Sequence, residues 1–237
     1  MRITAFALLL VTAFTASARA QALVDPAGHW KGTIDIPNQV VEFEIDLAKN
    51  SRGEMIGTVT AGPTAATIPL MKIAISGRKI TFAARADQPF EGEVSETGRI
   101  ISGTATLSGY ALPFTMARTG DAKIEPTPTS RAVSKALEGE WRGTLSAGDK
   151  MYRLIVSISN QPDGTALAHS VSVDEGGMIV PLVVVEDGTN VRVESQATRI
   201  AYTGVLNAGG TELTGTFTQG ALSVPMTFTR AVPEGQR

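Results

Sequence analysis

An internal repeat constrains the fold of this 237-residue chain more than any other feature of its sequence. The heptapeptide GHWKGTI at 28–34 recurs as GEWRGTL at 139–145, an offset of 111 positions. Four further matches follow in the same order at an offset of 112, at 68–70 and 180–182, 90–92 and 202–204, 101–104 and 213–216, and 113–118 and 225–230. Matches in constant order at a steady offset indicate a duplication. The chain is therefore predicted to contain two copies of one module of about a hundred residues.

Apolar and polar residues alternate with a period of two inside each copy. The apolar set of one stretch is Val41, Phe43, Ile45 and Leu47, and its counterparts are Tyr152, Leu154, Val156 and Ile158. This period is typical of strands with one buried face, and glycine-containing turns separate the stretches. We predict an all-β protein with about eight strands per module, joined as an antiparallel meander. Because an open meander leaves two exposed edges, closure into a small barrel is favoured, with a β-sandwich as the alternative.

Glycines at positions of buried parity also favour closure. They are Gly32, Gly92 and Gly103, with their copies Gly143, Gly204 and Gly215. A strand glycine marks sharp coiling or the close approach of a large neighbour. The tryptophan of each module is the predicted neighbour.

Each module begins with a Gly-x-Trp motif, containing Trp30 or Trp141, and ends with an arginine, Arg118 or Arg230. This pairing resembles the structural signature of the calycin superfamily, which includes lipocalins, fatty-acid-binding proteins and avidins. The resemblance implies that each arginine packs over the tryptophan of its module and closes one end of the barrel. A guanidinium over an indole contributes about 0.5–2 kcal/mol.

The whole module also resembles an uncharacterised accessory β-domain that precedes α/β-hydrolase domains in some exported bacterial enzymes. No hydrolase domain follows in this sequence, so the resemblance implies no hydrolase activity. The strands are shorter than those of lipocalins. Eight of them enclose an interior about wide enough for side chains to fill, which argues against a roomy ligand cavity.

The N-terminus has the pattern of a signal peptide, with Arg2, an apolar stretch at 3–14 and the Ala-Arg-Ala cleavage site at 18–20. That apolar stretch is shorter than the ~20 residues that span a bilayer. We predict cleavage after Ala20 and a soluble periplasmic or secreted bacterial protein without a membrane span. The predicted divisions are a signal peptide at 1–20, modules at 24–118 and 137–231, a linker at 119–136 and a tail at 232–237.

Charge and cysteine content exclude several classes of function. Cleavage would remove two of the 21 basic residues, which leaves 19 against 23 acidic residues. A mildly acidic surface argues against binding to nucleic acid or anionic membranes. The chain has no cysteine, which excludes disulfides, thiolate metal sites and a cysteine nucleophile. No catalytic residue, metal site or cofactor is predicted.

The chain contains two histidines, and neither has an obvious chemical partner. His29 is predicted to lie on the surface. His169, aligned at an offset of 112, falls at the position of Gly57 and in line with Leu167 and Val171. That alignment predicts an inward side chain, interpreted as a hydrogen-bonded core histidine, with a ligand-binding residue as the alternative.

Two further patterns resemble catalytic or metal-binding motifs, but neither is assigned a chemical role. Glu42, Glu44 and Asp46 follow one strand face at a spacing that could suit glycoside hydrolysis or calcium binding, but the second copy does not keep them. A solvated outer face is therefore predicted. The tetrad at 76–79 matches the Ser-x-x-Lys pattern of penicillin-recognising hydrolases, but it falls at a glycine turn and not at the start of a helix.

The preferred hypothesis is a non-catalytic binding or accessory protein of the bacterial envelope, whose partner is an unknown protein. The first alternative is a carrier of a small lipophilic ligand inside a calycin-like barrel. An unrecognised hydrolase is the second alternative.

Overall fold

The computed structural model describes residues 24–61 and 66–232, so the predicted signal peptide lies outside the described residues. The first module is one antiparallel sheet in the order β4-β3-β2-β1-β9-β8-β7-β6-β5. Its strands are β1 (Gly28–Ile36), β2 (Gln39–Lys49), β3 (Met55–Thr60), β4 (Thr67–Pro69), β5 (Met71–Ser76), β6 (Lys79–Ala83), β7 (Pro89–Val94), β8 (Ile100–Leu107) and β9 (Tyr110–Gly120).

The second module repeats this order as β10-β13-β12-β11-β18-β17-β16-β15-β14, and an additional pairing of β13 with β14 closes the circle. Its strands are β10 (Ser130–Arg131), β11 (Gly139–Ala147), β12 (Lys150–Asn160), β13 (Thr165–Ser172), β14 (Ile179–Asp187), β15 (Asn190–Ser195), β16 (Ile200–Leu206), β17 (Glu212–Gln219) and β18 (Leu222–Arg230). A 3-10 helix at Val173–Glu175 is the only helix within the described ranges. None of the described helical structure is long and apolar enough to cross a membrane.

The predicted all-β fold with two antiparallel modules is confirmed. The second module is a closed eight-stranded barrel, β11 to β18, with β10 added to its wall. The first is nearly closed, because β4 and β5 are two pieces of the strand that corresponds to β14. The interruption lies near Lys72, which has a φ of 54°, and the β5–β6 register shifts between Met71 and Ala74.

Each barrel has its own core, formed by the alternate residues that the sequence pattern predicts to face inward. In β2, Phe43, Ile45 and Leu47 are buried. Trp30 and Trp141 are 0% and 1% exposed. Val133, near the end of the predicted linker, joins the second core beside Leu137, the first residue of the predicted second module.

The predicted neighbour of the inward glycines is wrong. A Cβ at Gly32 would lie 2.6 Å from Cζ of Phe43 and 2.7 Å from Cβ of Met116. Likewise, Gly143 faces Met226 and Phe228. The tryptophans point away toward the barrel end, where each indole N–H finds a backbone carbonyl. Side chains of neighbouring strands therefore require glycine at positions 32 and 143, whereas a Cβ at Gly103 or Gly215 would meet the backbone of the adjacent strand.

Candidate functional site

One end of the second barrel is closed by a tryptophan and an arginine. The Arg230 guanidinium carbon lies 4.5 Å from the centroid of the Trp141 ring. The indole Nε1 donates to the Leu137 carbonyl at 2.9 Å. The guanidinium donates to three backbone carbonyls, those of Ala136, Glu138 (2.6 Å) and Gly210 (2.7 Å). Because these donors bond to the chain itself, the arrangement holds the barrel end shut.

The same end of the first barrel is held more loosely. Trp30 Nε1 donates to the Pro26 carbonyl at 2.9 Å. Arg118 is exposed, its guanidinium carbon lies 5.4 Å from the ring centroid, and Nη2 donates to the Asp25 carbonyl at 3.1 Å. At both ends the arginine lies near the tryptophan ring, as the calycin resemblance implies.

Aromatic side chains fill the interior of the first barrel. Phe82 and Phe90 stack with ring centroids 5.0 Å apart, and Phe114 meets Phe90 edge-on at 5.2 Å. Phe43 completes the cluster at 5.8 Å from Phe90. This packing agrees with the expectation that side chains fill an eight-stranded barrel.

The second barrel holds smaller side chains at three of these four positions, Leu154, Val193 and Met226, and has a cavity of about 40 Å³ lined almost entirely by apolar atoms. The Tyr202 hydroxyl donates to the Leu213 carbonyl at 2.9 Å, and burial raises the pKa of this phenol. Sites for drug-sized ligands measure ~300–1,000 Å³. The cavity is therefore far smaller than a carrier site requires.

The large concave site is a groove between the barrels, with a volume of about 1280 Å³. The first barrel supplies residues of β1 to β5 on one side. The linker residues 123–128 form another part of the lining. The second barrel supplies Pro181, Val183 and the turn between β15 and β16. Ligand sites occur preferentially at the junction of two domains.

A cluster of charged side chains lines the groove on β1 and β2. His29 Nδ1 lies 2.9 Å from Asp46 Oδ1, and His29 Nε2 lies 3.7 Å from Glu44 Oε2. Lys31 Nζ contacts Glu44 Oε1 at 2.6 Å, and this hydrogen bond lowers the pKa of the Glu44 carboxyl. The backbone N–H of Lys123 donates to Asp46 at 2.7 Å, which ties the linker to this face.

The cluster corrects the sequence-based interpretation of these residues. The side chains of His29 and Asp46 are only 13% and 14% exposed, so neither is a freely solvated surface group. The pairing of β1 with β2 places His29 opposite Asp46 and Lys31 opposite Glu44. The register of this hairpin is the signal that could have identified the partners. Glu42 is exposed, as predicted.

His169 does not point inward, so that prediction is wrong. Its neighbours Ala168 and Ser170 are buried in the barrel, whereas His169 is half-buried on the outer face. It pairs with Ser157 just as Thr58 pairs with Asp46, so the correct offset is 111. His169 lines neither the cavity nor the groove.

The groove wall on β1 and β2 has its charged groups paired with one another. Its carboxylates at Glu44 and Asp46 are already held by a lysine, a histidine and a backbone N–H. No group of three or more His, Cys, Asp or Glu side chains in the described part of the chain is placed to hold a metal ion. The Ser76 tetrad lies at the β5–β6 turn, as predicted.

No protein-family model and no curated protein matches this chain. The fold is similar to that of a solved Bacteroides fragilis NCTC 9343 protein, provisionally named as an outer membrane protein, with 15% identity, 86% coverage of this chain, 97% of that chain and a TM-score of 0.26. A protein of unknown function from the DUF3598 family of Nostoc punctiforme PCC 73102 matches with 12% identity, coverages of 86% and 96% and a TM-score of 0.27. Similarity at these TM-scores carries no argument about function.

Proposed function

We propose that the chain is a non-catalytic binding or accessory protein of the bacterial envelope and that its partner binds in the groove between the barrels. The observation that carries this proposal is the difference in volume between the groove and the cavity of the second barrel. The groove measures about 1280 Å³, whereas the cavity of the second barrel measures about 40 Å³.

The composition of the groove supports a polypeptide partner. Exposed Ile56 and the prolines at 69, 126, 128 and 181 lie beside charged residues such as Lys72 and Glu194. Protein interfaces commonly combine apolar contacts with a charged rim. Each barrel supplies one wall, so the duplication itself creates the site.

The calycin-like alternative, a carrier of a small lipophilic ligand, receives less support. Phenylalanines fill the first interior, and the second has room for no more than a few water molecules. Native mass spectrometry of the purified protein tests this alternative. An adduct of fixed small mass that is lost on denaturation would favour the carrier over the groove.

One observation favours the hydrolase alternative, namely the His29–Asp46 pair in the groove. A carboxylate that orients a histidine is one part of a nucleophilic site. The other ring nitrogen of His29, however, faces Glu44 and not a hydroxyl. The pair is therefore interpreted as a link that fixes the groove wall.

Site-specific photo-crosslinking in cells that export the full chain tests the proposed function. A photoreactive residue replaces Ile56 in the groove or, as the matched control, Val40, which is 59% exposed and does not line the groove. We expect crosslinked partner from position 56 and none from position 40. Equal crosslinking from both positions, or from position 40 alone, would refute the groove as the binding site.

A further inference from the structure

The wall of the first barrel has an open seam, defined here as the edge of β3 at residues 53–56 and the facing strand β5. β4 pairs only with Thr58–Thr60, and the Leu70 N–H donates to the Gly57 carbonyl at 2.8 Å. The chain then turns into β5, which pairs with β6. Among residues 24–61 and 66–232, no strand pairs with Met55 on this side of β3.

In the second barrel a short strand occupies the same seam. β10 pairs with β13 through Ser130 opposite Ala166 and Arg131 opposite Thr165. The Ala132 N–H donates to the Gly164 carbonyl at 3.0 Å. On its other side, the Ser130 hydroxyl accepts a hydrogen bond from the N–H of Val184 in β14 at 2.7 Å. β10 therefore bridges the two strands that diverge here.

The apolar residues beside the seam are more deeply buried in the second barrel, where β10 covers them, than in the first. Under β10, Ala166, Leu182 and Val184 are 0%, 1% and 3% exposed, whereas their counterparts Met55, Leu70 and Ile73 are half-buried. The three counterparts also line the groove. The open seam is thus an accessible edge with apolar residues on its inner side.

The backbone of β3 presents hydrogen-bonding groups to this seam. The Glu54 carbonyl accepts from Asn50 toward β2, and the Gly57 carbonyl accepts from Leu70 toward β4. Because alternate residues of a strand direct their backbone groups to opposite sides, the N–H and C=O of Met55 face the seam. The counterpart of Met55 is Ala166, which pairs with Ser130 in the second barrel.

We propose that the seam of the first barrel is a strand-docking site, which binds an extended peptide segment of a partner protein by adding it to β3. The required peptide chemistry is shown by β10, in which a small hydroxyl residue turns inward and the next residues continue the ladder. This inference rests on the proposed function, because the seam opens into the groove.

The repeat accounts for the difference between the seams. At an offset of 111, the counterparts of Ser130 and Arg131 are Arg19 and Ala20, which lie outside the described residues. They are the last two residues of the predicted signal peptide. The predicted cleavage after Ala20 would remove them from the mature chain, and the proposal is that a second molecule then supplies the strand.

A synthetic peptide with the sequence of residues 127–134, TPTSRAVS, is the probe. Fluorescence anisotropy of the labelled peptide is measured against the protein purified after export of the full chain. We expect saturable binding. An N-methyl group on the Ala132 nitrogen removes the N–H that, in the second barrel, donates to the Gly164 carbonyl just before β13, and it is expected to weaken binding about tenfold or more. This control needs no protein variant.

The binding site of the peptide is located with a photoreactive group at the Arg131 position. We expect it to crosslink to fragments of the first barrel that contain Met55 or Ile73. Crosslinks confined to β13 and β14, unchanged affinity after N-methylation, or no saturation at millimolar peptide would each overturn the strand-docking proposal.

Competition separates this proposal from the proposed function. We expect excess TPTSRAVS peptide to reduce partner crosslinking from position 56. Undiminished partner crosslinking would reject strand docking and leave the groove as the binding site. If no partner crosslinks from position 56 even when no peptide is added, the proposed function itself is rejected.

Discussion

Replacing the arginine at each barrel end by methionine should destabilise the two barrels unequally. Arg230 donates to three backbone carbonyls and lies 4.5 Å from its indole centroid, whereas Arg118 is exposed, donates to one carbonyl and lies at 5.4 Å. Methionine keeps an apolar cover over the indole but cannot donate. Hydrogen bonds from charged donors contribute ~1.5–3 kcal/mol each when well buried, and partial exposure reduces this. We therefore expect Arg230→Met to cost about 3 kcal/mol and Arg118→Met about 1 kcal/mol.

Urea unfolding followed by tryptophan fluorescence measures this difference, because each barrel contains one tryptophan. Arg230→Lys serves as a further comparison. Its ammonium keeps the charge but cannot reproduce the planar fork that reaches several carbonyls, so it should recover less than half of the loss. Equal losses for the two methionine variants, or a larger loss for Arg118→Met, would refute the assignment of the stronger closure to the second barrel.

Three further substitutions test the packing of the cores. Trp30→Ala and Trp141→Ala should each cost ~3–5 kcal/mol in urea unfolding, because both indoles are almost fully buried, and melting curves that match the parent chain would contradict this. Gly215→Ala should cost more than ~3 kcal/mol, since its Cβ would lie 2.5 Å from Cα of Gly204. Gly209→Ala is the matched control, because a Cβ there would lie 3.6 Å from its nearest heavy atom. It should change the free energy of unfolding by less than ~1 kcal/mol. Similar losses for the two glycine variants would show that the close β16–β17 contact does not determine the cost of Gly215→Ala.

Much of the fold follows from the repeat and from alternation of period two. These features depend on local residue order, and they predict antiparallel strands with known inward faces. The neighbours of Gly32 were not predictable in the same way. Parity assigns a face to Trp30 but not the direction of its side chain along the barrel axis, and that direction brings Phe43 and Met116 over the glycine.

The interruption between β4 and β5 also has no clear sequence signal. The residue with positive φ at this point is Lys72, where a glycine would have marked the turn. The lost pairing depends on contacts between distant strands. For this reason the sequence predicts a closed barrel in both copies, and the structure shows closure only in the second.

The histidines show how strand register limits prediction of the site. A shift of one residue moves a side chain to the opposite face of a strand, and the alignment of His169 at 112 instead of 111 has that effect. His29 depends on register in another way. Its partner Asp46 is 17 positions away, across a hairpin whose two-residue loop at 37–38 contains no glycine. Neither the strand face that His169 occupies nor the partner of His29 can be predicted from residue type alone.

The two copies have diverged at the interior and at the seam, and the two changes have different consequences. Where the first barrel has Phe82 and Ala105, the second has Val193 and Phe217, so bulk is exchanged across the interior and a cavity of only about 40 Å³ is left in the second core. At the seam, β10 covers the second barrel, whereas no strand among the described residues covers Met55 of the first, which is half-buried. Core packing can thus be maintained by exchange within one barrel, but an unpaired strand edge requires another strand. The second barrel therefore serves as the internal reference for the partner strand that the first is proposed to bind.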